Sequence, residues 1–395
     1  MAVAAFAGNR NFLGLLTANT VFGAALPMLL ILSGVTGLFL TPSPALATLP
    51  ASVQILGGLV AAAPFSLLMG RVGRRAGFWI GAALIIIGSL SAVQALSAGS
   101  FWLLCASHFL MGAAMASLHY FRFAAAEAVD ARWQPVAISL MLTSGLIAAV
   151  GGPQIVIVAK DALAPIPFAG AYAALAAITL VGMVPLLWVH MPRPASQTAE
   201  AGSAFSLRAA LSREPIRRSI GIAAVAQGMM TFLMIPTPAA MIGCGFSEDL
   251  ASDVIRWHIV AMFAPSFVTG FLIQRFGAQT IAVVGLAIII LSAGIAALGL
   301  SEAHFYGSLI GVGIGWNFSF IGATAMLAAA VTEREKAALQ GINDTLIGLV
   351  STVFAFAAGL VISGLGWALL AVISIVIVVA ALLLLALDRP QAASA

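Results

Sequence analysis

The sequence predicts an all-α membrane protein with about twelve transmembrane helices in two six-helix halves. Of the 395 residues, 62% are hydrophobic and only 8% are charged, whereas a soluble domain carries about 25% charged residues. Apolar runs of about 20 residues, the length that a helix needs to cross a bilayer, alternate with short polar segments. Together these observations exclude a soluble enzyme, a secreted disulfide scaffold and a disordered protein.

The apolar runs place six spans in each half of the chain, numbered 1 to 12 from the N-terminus. The first six cover about 12–39, 46–69, 77–98, 101–125, 136–159 and 165–189. The last six cover about 218–243, 251–273, 279–300, 303–330, 339–363 and 366–387. The longest polar stretch lies between the halves and contains several Pro, Ser and Thr residues, which is typical of a linker. We therefore predict an N-terminal half at 1–189, a cytoplasmic linker at 190–217 and a C-terminal half at 218–395.

The basic residues predict the orientation of the chain in the membrane. With both termini in the cytoplasm, fifteen Arg and Lys residues fall on that side, and only Lys160 and Arg256 lie near the opposite face. This asymmetry predicts a multi-pass membrane protein with both termini in the cytoplasm. The basic pI therefore reflects topology, so the lipid bilayer is the expected partner and nucleic acid is not. The outer face would carry an acidic mouth made of Asp161, Glu248, Asp249, Asp253 and Glu302.

An internal repeat supports the division into halves. The loop after span 2 reads SLLMGRVGRR at 66–75, and the loop after span 8 reads GFLIQRFGAQ at 270–279, which is 204 residues further along the chain. Halves that repeat in parallel orientation are typical of a large class of transporters. The residues shared by the repeat or adjoining it are Arg71, Gly73, Arg74, Arg75, Arg275 and Gly277.

These loops resemble the signature of the major facilitator superfamily, Gly-x-x-x-Asp-Arg-x-Gly-Arg-Arg/Lys. The resemblance extends over the whole chain and includes the Gly-Pro motif of the fifth helix, here Gly151-Gly152-Pro153. It implies a major facilitator fold, transport by alternating access and a gating role for the Arg and Gly residues named above. The acidic position of the signature is Gly70 in the first copy and Gln274 in the second, so the charge relay of the gate is incomplete.

Soft side chains replace acids inside the predicted spans. Met230 and Met234 share one face of span 7, and His258 and Met262 share one face of span 8, because residues four apart lie on the same side of a helix. Thioether and imidazole ligands suit Cu(I), whereas carboxylates suit harder ions. Methionine is also an ordinary core residue, and a single histidine is often a packing residue. The spacing alone leaves both interpretations open.

The paired motif Met-x-x-x-Met and His-x-x-x-Met on consecutive spans is similar to that of the CcoA-type bacterial copper importers. This resemblance implies a protein of the bacterial inner membrane that imports copper, as Cu(I), for assembly of cbb-type cytochrome c oxidase. We expect the protein to be a monomer. Copper would be the transported substrate rather than a cofactor, and no cofactor is expected. Cytoplasmic or membrane copper chaperones would be its partners. Related sequences carry other cargoes, including riboflavin.

A second set of soft residues predicts an additional copper path, with packing as the alternative. Span 4 carries them at helical spacing, and two more lie at the outer end of span 7: Cys105, His108, Met111, Met115 and His119, then Met241 and Cys244. Two cysteines far apart give no case for a disulfide framework. Asp344 on span 11 is the best candidate for proton coupling.

Two alternatives to a copper importer remain open at this point. One keeps the fold and changes the cargo to a small organic solute, either a vitamin such as riboflavin or a drug for efflux. The other is a membrane copper sensor or assembly factor that does not transport. We expect no enzymatic activity, because no nucleophile–base set or phosphate-binding loop occurs in the chain.

Overall fold

The computed structural model describes residues 8–118, 120–130, 133–191 and 211–387. It is 87% helical, and the described ranges contain no strand, which confirms the predicted all-α class. Some of the residues on which the predictions rest lie outside the described ranges. They are His119, most of the predicted linker at 192–210, and four of the fifteen basic residues counted on the cytoplasmic side, Arg132, Arg193, Arg208 and Arg389.

The N-terminal spans each contain one or two helices. Span 1 comprises Arg10–Gly23 and Ala25–Leu40, span 2 is Leu49–Val72 and span 3 is Arg74–Ser97. Span 4 comprises Phe101–Leu118 and Phe121–Glu127, span 5 is Gln134–Ala159 and span 6 is Ala169–Met183. Short 3₁₀ turns at Pro44–Leu46 and Pro185–Leu187 precede span 2 and follow span 6.

The C-terminal spans follow the same plan. Span 7 comprises Glu214–Met234 and Thr237–Gly243, and span 8 comprises Glu248–Phe263 and Ser266–Phe276. Span 9 is Ala278–Leu298 and span 10 is Glu302–Ala330. Spans 11 and 12 form one continuous segment, Glu333–Leu387, broken at Gly366, where φ is 78°.

The helices account for all twelve predicted spans within the described residues. Ten segments there are long and apolar enough to cross a membrane. The helix Gln134–Ala159, with its apolar part at Ser144–Ala159, supplies the fifth span, and the break at Gly366 divides the last segment into two. Spans 7 and 8 are interrupted near Pro236 and Pro265, because proline lacks the backbone N–H that would continue a helix.

The described residues divide into two compact units. Unit 1 contains those of Met1–Thr198 and Phe246–Arg256, and unit 2 contains those of Ala199–Gly245 and Trp257–Ala395. The predicted domain limits at 189 and 218 stay a prediction. Unit 1 includes the start of span 8 in addition to spans 1 to 6, and the ion pairs of Lys160 described below connect that segment to the rest of unit 1.

Glycines allow neighbouring helices to approach closely inside each unit. In unit 1, a Cβ built on Gly112 would collide with the backbone of Gln54, and one on Gly57 would collide with the Phe109 carbonyl. In unit 2, Gly285 and Gly315 face each other in the same way. Membrane helices associate through such small residues, because lipid provides no hydrophobic drive for association.

The sequence repeat is also a structural repeat. Gly73 ends span 2 with φ 90° and ψ 156°, and Gly277 ends the equivalent helix of span 8 with φ 86° and ψ 148°. Eight residues beyond each, Gly81 contacts Ser117 and Gly285 contacts Ser319 on the following span. A left-handed backbone at Gly73 and Gly277 explains why both copies of the motif have glycine there.

We expect Gly277→Ala to destabilise the protein by about 1–2 kcal/mol, because a Cβ is strained at this φ. Gly270→Ala is the matched control, since Gly270 lies inside the same helix with open space around it. The control is expected to be neutral or slightly stabilising. Thermal unfolding of both variants in detergent, compared with the wild type, measures the difference. Equal midpoints for the two variants would contradict the assignment.

Candidate functional site

A buried histidine in unit 1 bonds to side chains from two other spans, and a third span supports one of these partners. His108 on span 4 is fully buried. Its Nδ1 lies 2.8 Å from Gln54 Oε1, and its Nε2 lies 2.6 Å from the Tyr172 hydroxyl. That hydroxyl is in turn 3.0 Å from Thr36 Oγ1. Both ring nitrogens therefore have protein partners, and a metal bound to His108 would have to displace one of them.

The other residues of the predicted copper path are distributed between packing positions and the surface. Met111 is fully buried, with its sulfur 3.5 Å from the Ser89 hydroxyl, and Cys105 is buried as well. Met115 is half-buried. Met241 is buried, whereas Cys244 is exposed at the end of its helix. These contacts fit packing, and the copper path stays a prediction.

The four residues of the predicted copper site all lie in unit 2 and are all buried: Met230, Met234, His258 and Met262. His258 Nδ1 lies 2.7 Å from the Leu309 carbonyl oxygen on span 10. A carbonyl only accepts, so Nδ1 carries the proton and the neutral ring keeps a lone pair at Nε2. That Nε2 is buried without a hydrogen-bond partner.

The other common metal ligands do not cluster near these residues in the described part of the chain. No group of three or more His, Cys, Asp or Glu residues in the part of the chain described here is arranged to hold a metal ion. A copper site would therefore depend on the thioethers of Met230, Met234 and Met262. The arrangement of these sulfur atoms as a ligand set stays a prediction.

An asparagine holds spans 8 and 10 together beside His258. Asn317 Nδ2 donates to the Met262 carbonyl at 2.7 Å and to Ser266 Oγ at 2.7 Å. Thr269 Oγ1 donates to Asn317 Oδ1 at 2.7 Å. The Asn317 amide is thus fully engaged with the protein, which makes it a structural group that fixes the register of the two helices.

An aromatic cluster lies around Trp316, the residue before Asn317. The sequence indicated that Trp and Phe residues would matter for an organic cargo, but not which of them come together. Trp316 and Phe320 on span 10 stack with ring centroids 4.9 Å apart and an interplanar angle of 19°. Phe263 on span 8 meets Trp316 edge-on, with centroids 6.4 Å apart. The Trp316 indole N–H donates to Gln227 Oε1 on span 7 at 2.8 Å. We call Trp316, Phe320, Phe263 and Gln227 the aromatic cluster.

All four members of the aromatic cluster are half-buried, so part of each side chain is accessible. The Gln227 amide uses its oxygen for Trp316, and its NH₂ group has no hydrogen-bond partner among the described residues. Gln227 also lies on the same face of span 7 as Met230 and Met234, at spacings of three and seven residues. A lone amide inside an apolar span was the signal in the sequence that could have identified this cluster.

The predicted gating residues differ in their contacts. Arg74 pairs with Glu127 at 2.5 Å, and Arg75 donates to the Leu187 carbonyl at 3.1 Å. Arg71 is exposed, as are Arg275 and Gly277, whereas Gly73 is buried. Glu127, from the end of span 4, thus supplies a carboxylate to a loop whose own acidic position is glycine.

The residues of the predicted acidic mouth are partly paired with basic side chains. Lys160 pairs with Asp249 at 2.6 Å and with Glu248 at 3.8 Å, and Arg256 pairs with Asp253. The hydrogen bond to Asp249 raises the pKa of the Lys160 ammonium above its ordinary value. The attraction of cations to this face is therefore weaker than the sequence suggests. Asp344, the predicted proton-coupling residue, is exposed and accepts from the neighbouring Asn343 at 3.2 Å.

The chain is similar to known transporters over nearly its whole length. A protein of Brucella anthropi named riboflavin transporter RfnT is 35% identical over 364 residues, which cover 92% of each chain. The MFS-type transporter YdeG of Bacillus subtilis, described as uncharacterized, is 28% identical over 83% of this chain and 80% of its own. The chain belongs to the major facilitator superfamily. No family model matches it.

Solved structures of major facilitator transporters share the fold. The nucleoside transporter NupG matches with a TM-score of 0.71 at 13% identity, covering 95% of this chain and 98% of its own. The xylose transporter XylE of E. coli matches with a TM-score of 0.70 at 14% identity, covering 98% of each chain. This chain is accordingly a multi-pass membrane transporter, and its relatives are not enzymes. The finer resemblance to copper importers is not supported, because the 35% identical relative is named for riboflavin.

We expect Asn317→Leu to destabilise unit 2 by about 2–4 kcal/mol, because it strands several buried hydrogen-bonding groups. Asn343→Leu is the control, since Asn343 is half-buried and contacts only Asp344 among the bonds found. The melting temperature in detergent is the readout. A loss no larger for Asn317→Leu than for Asn343→Leu would show that the amide does not hold the two spans.

Proposed function

We propose that the chain is a secondary transporter that takes up riboflavin or a closely related flavin. The observation that carries this proposal is the 35% identity to the riboflavin transporter of Brucella anthropi over 92% of both chains. Such similarity extends over nearly the whole chain rather than over one motif. It favours the vitamin alternative over the copper importer.

The chemistry of the membrane spans supports an uncharged aromatic cargo. Only 8% of the chain is charged, and the described contacts place the ion pairs at helix ends rather than in the middle of the spans. A transporter of organic ions needs fixed charges at its binding site, whereas riboflavin is neutral at physiological pH. The partly accessible rings of Trp316 and Phe320 suit a flat aromatic ligand, because such rings prefer to stack.

Copper import is supported only by the Met and His residues of spans 7 and 8. Met230, Met234 and Met262 are buried residues of the kind that ordinarily fill a helix interface. The free lone pair of His258 Nε2 is compatible with a soft metal, but it is equally an acceptor for a hydroxyl or an amide. His258 Nε2 therefore does not distinguish copper from riboflavin as the cargo.

The same proposal places the protein in the bacterial inner membrane with both termini in the cytoplasm. The fifteen basic residues on one side of the predicted topology support this orientation, against two near the other side. Uptake would then proceed toward the side that carries the basic loops.

Expression of the chain in a bacterium that can neither make nor import riboflavin is expected to restore growth at low riboflavin concentrations. Uptake of radiolabelled riboflavin by the same cells should rise several-fold above that of the empty vector. Competition with unlabelled nucleosides, sugars and lumichrome tests the specificity. Growth and uptake at the level of the empty vector, with the protein present in the membrane, would refute the proposal.

The double variant Met230→Leu/Met234→Leu distinguishes the two cargoes. Leucine keeps the volume and apolar character of methionine and removes the sulfur, and such exchanges are usually well tolerated. We expect the variant to retain at least half of wild-type riboflavin uptake. Cellular copper, measured by mass spectrometry, should be unaffected by either protein. Copper accumulation by the wild type that is lost in the variant would instead establish the copper reading.

A further inference from the structure

Unit 2 combines three features that together suit one ligand. The aromatic cluster presents partly accessible rings on spans 8 and 10. The Gln227 amide is fixed by the Trp316 indole, so that its remaining NH₂ can only donate. His258 has a buried nitrogen with no partner. Orphaned polar atoms are rare inside proteins and need an explanation.

The positions of these groups along span 10 give the scale of the ligand. His258 contacts span 10 at Leu309, and the aromatic cluster begins at Trp316. Seven residues of helix rise by roughly 10 Å and complete about two turns, so both contacts lie on the same side of span 10. A ligand that used both would have a flat part and, roughly 10 Å away along the helix axis, a hydrogen-bond donor.

We propose that unit 2 binds the flavin in an extended orientation, with its ring system at the aromatic cluster and its ribityl chain directed toward His258. This proposal rests on riboflavin transport as the function of the chain. The flavin ring would stack against Trp316. A ring carbonyl would accept from the Gln227 NH₂, and a ribityl hydroxyl would donate to His258 Nε2.

The hydrogen-bonding groups at both ends of the site match this orientation. Gln227 offers a donor, which matches the carbonyl edge of the ring. His258 offers an acceptor, because its Nδ1 proton is committed to the Leu309 carbonyl, and the ribityl hydroxyls are donors. Reversing the ligand would take the flavin ring away from Trp316 and Phe320, and the stacking would be lost.

Asn317 and its partners hold this arrangement in place without contacting the ligand. The Asn317 amide fixes Met262 and Ser266 of span 8 against span 10. Met262 is one turn from His258, and Phe263 follows it directly. The orientation of His258 and of Phe263 toward span 10 is therefore set by a buried polar network, which suits a preorganised binding site.

Fluorescence of the flavin reports stacking directly, because an indole in contact with the ring quenches it. The experiment uses full-length protein in detergent, titrated into riboflavin and, separately, into lumichrome, which has the alloxazine ring and no ribityl chain. We expect wild type to quench both ligands. Trp316→Ala should weaken the affinity for both ligands by about 5- to 150-fold, since stacking on one aromatic side chain contributes about 1–3 kcal/mol. Trp316→Phe should be intermediate.

His258→Leu distinguishes the two ends of the ligand. We expect this variant to lower the affinity for riboflavin by about tenfold and to change the affinity for lumichrome by less than twofold. Gln227→Leu should lower the affinity for both ligands, because both have the ring carbonyls. Trp102→Ala is the matched control, since Trp102 is 64% exposed on the outside of unit 1. It should behave as wild type, and thermal unfolding checks that each variant is folded.

The outcomes separate this inference from the proposed function. Wild type that neither binds nor transports riboflavin overturns both. Wild type that transports riboflavin while a folded Trp316→Ala variant keeps wild-type quenching overturns the site alone. If His258→Leu lowered the affinity for riboflavin and for lumichrome equally, the orientation of the ligand would be overturned. The ring would still be assigned to the aromatic cluster.

Discussion

Hydrocarbon offers polar groups no hydrogen bonds, so every such group within a span must find a partner in the protein. The described structure follows this constraint closely. His108 is satisfied by Gln54 and Tyr172, and Asn317 by Met262, Ser266 and Thr269. Each set of bonds joins helices that are distant in sequence. The close helix contacts at Gly112 and Gly285 place the helix backbones near enough for such bonds to form.

Against this background, His258 Nε2 and the Gln227 NH₂ stand apart. Both belong to unit 2 and lie on helices that contact span 10, next to half-buried aromatic rings. Elsewhere in the described spans, the polar side chains discussed above contact one another or the backbone. A buried acceptor without a partner is costly to a folded protein unless a ligand completes it, and His258 Nε2 is such an atom. The half-buried Gln227 NH₂ is open to a further partner. Their location therefore carries functional information that burial and charge do not provide.

The sequence predicted the spans well because a bilayer imposes one length and one composition on each helix. It also predicted the repeat, since Gly73 and Gly277 adopt a backbone that strongly favours glycine. The site was predicted less well. The spacing of His108 and Met111 indicated a shared helix face but could not reveal that the ring nitrogens of His108 bond to spans 2 and 6. Those partners lie 54 and 64 residues away.

The copper interpretation shows the same difficulty. A Met-x-x-x-Met spacing follows from any helix face that packs against another, so the pattern does not specify a ligand set. Trp316 was not singled out, because an aromatic residue in an apolar span does not stand out from its neighbours. Its importance depends on the stacking with Phe320 and the bond to Gln227, which are tertiary contacts.

The repeat has a consequence for how such a transporter can change its cargo. His258 lies 204 residues after Gln54, which is the spacing between the two glycine loops. In unit 1 this position braces His108, whereas in unit 2 it carries the histidine with the open nitrogen. Duplication thus provides two copies of one polar position. One copy can remain committed to holding its helices together while the other diversifies, and a new specificity can arise without loss of the scaffold.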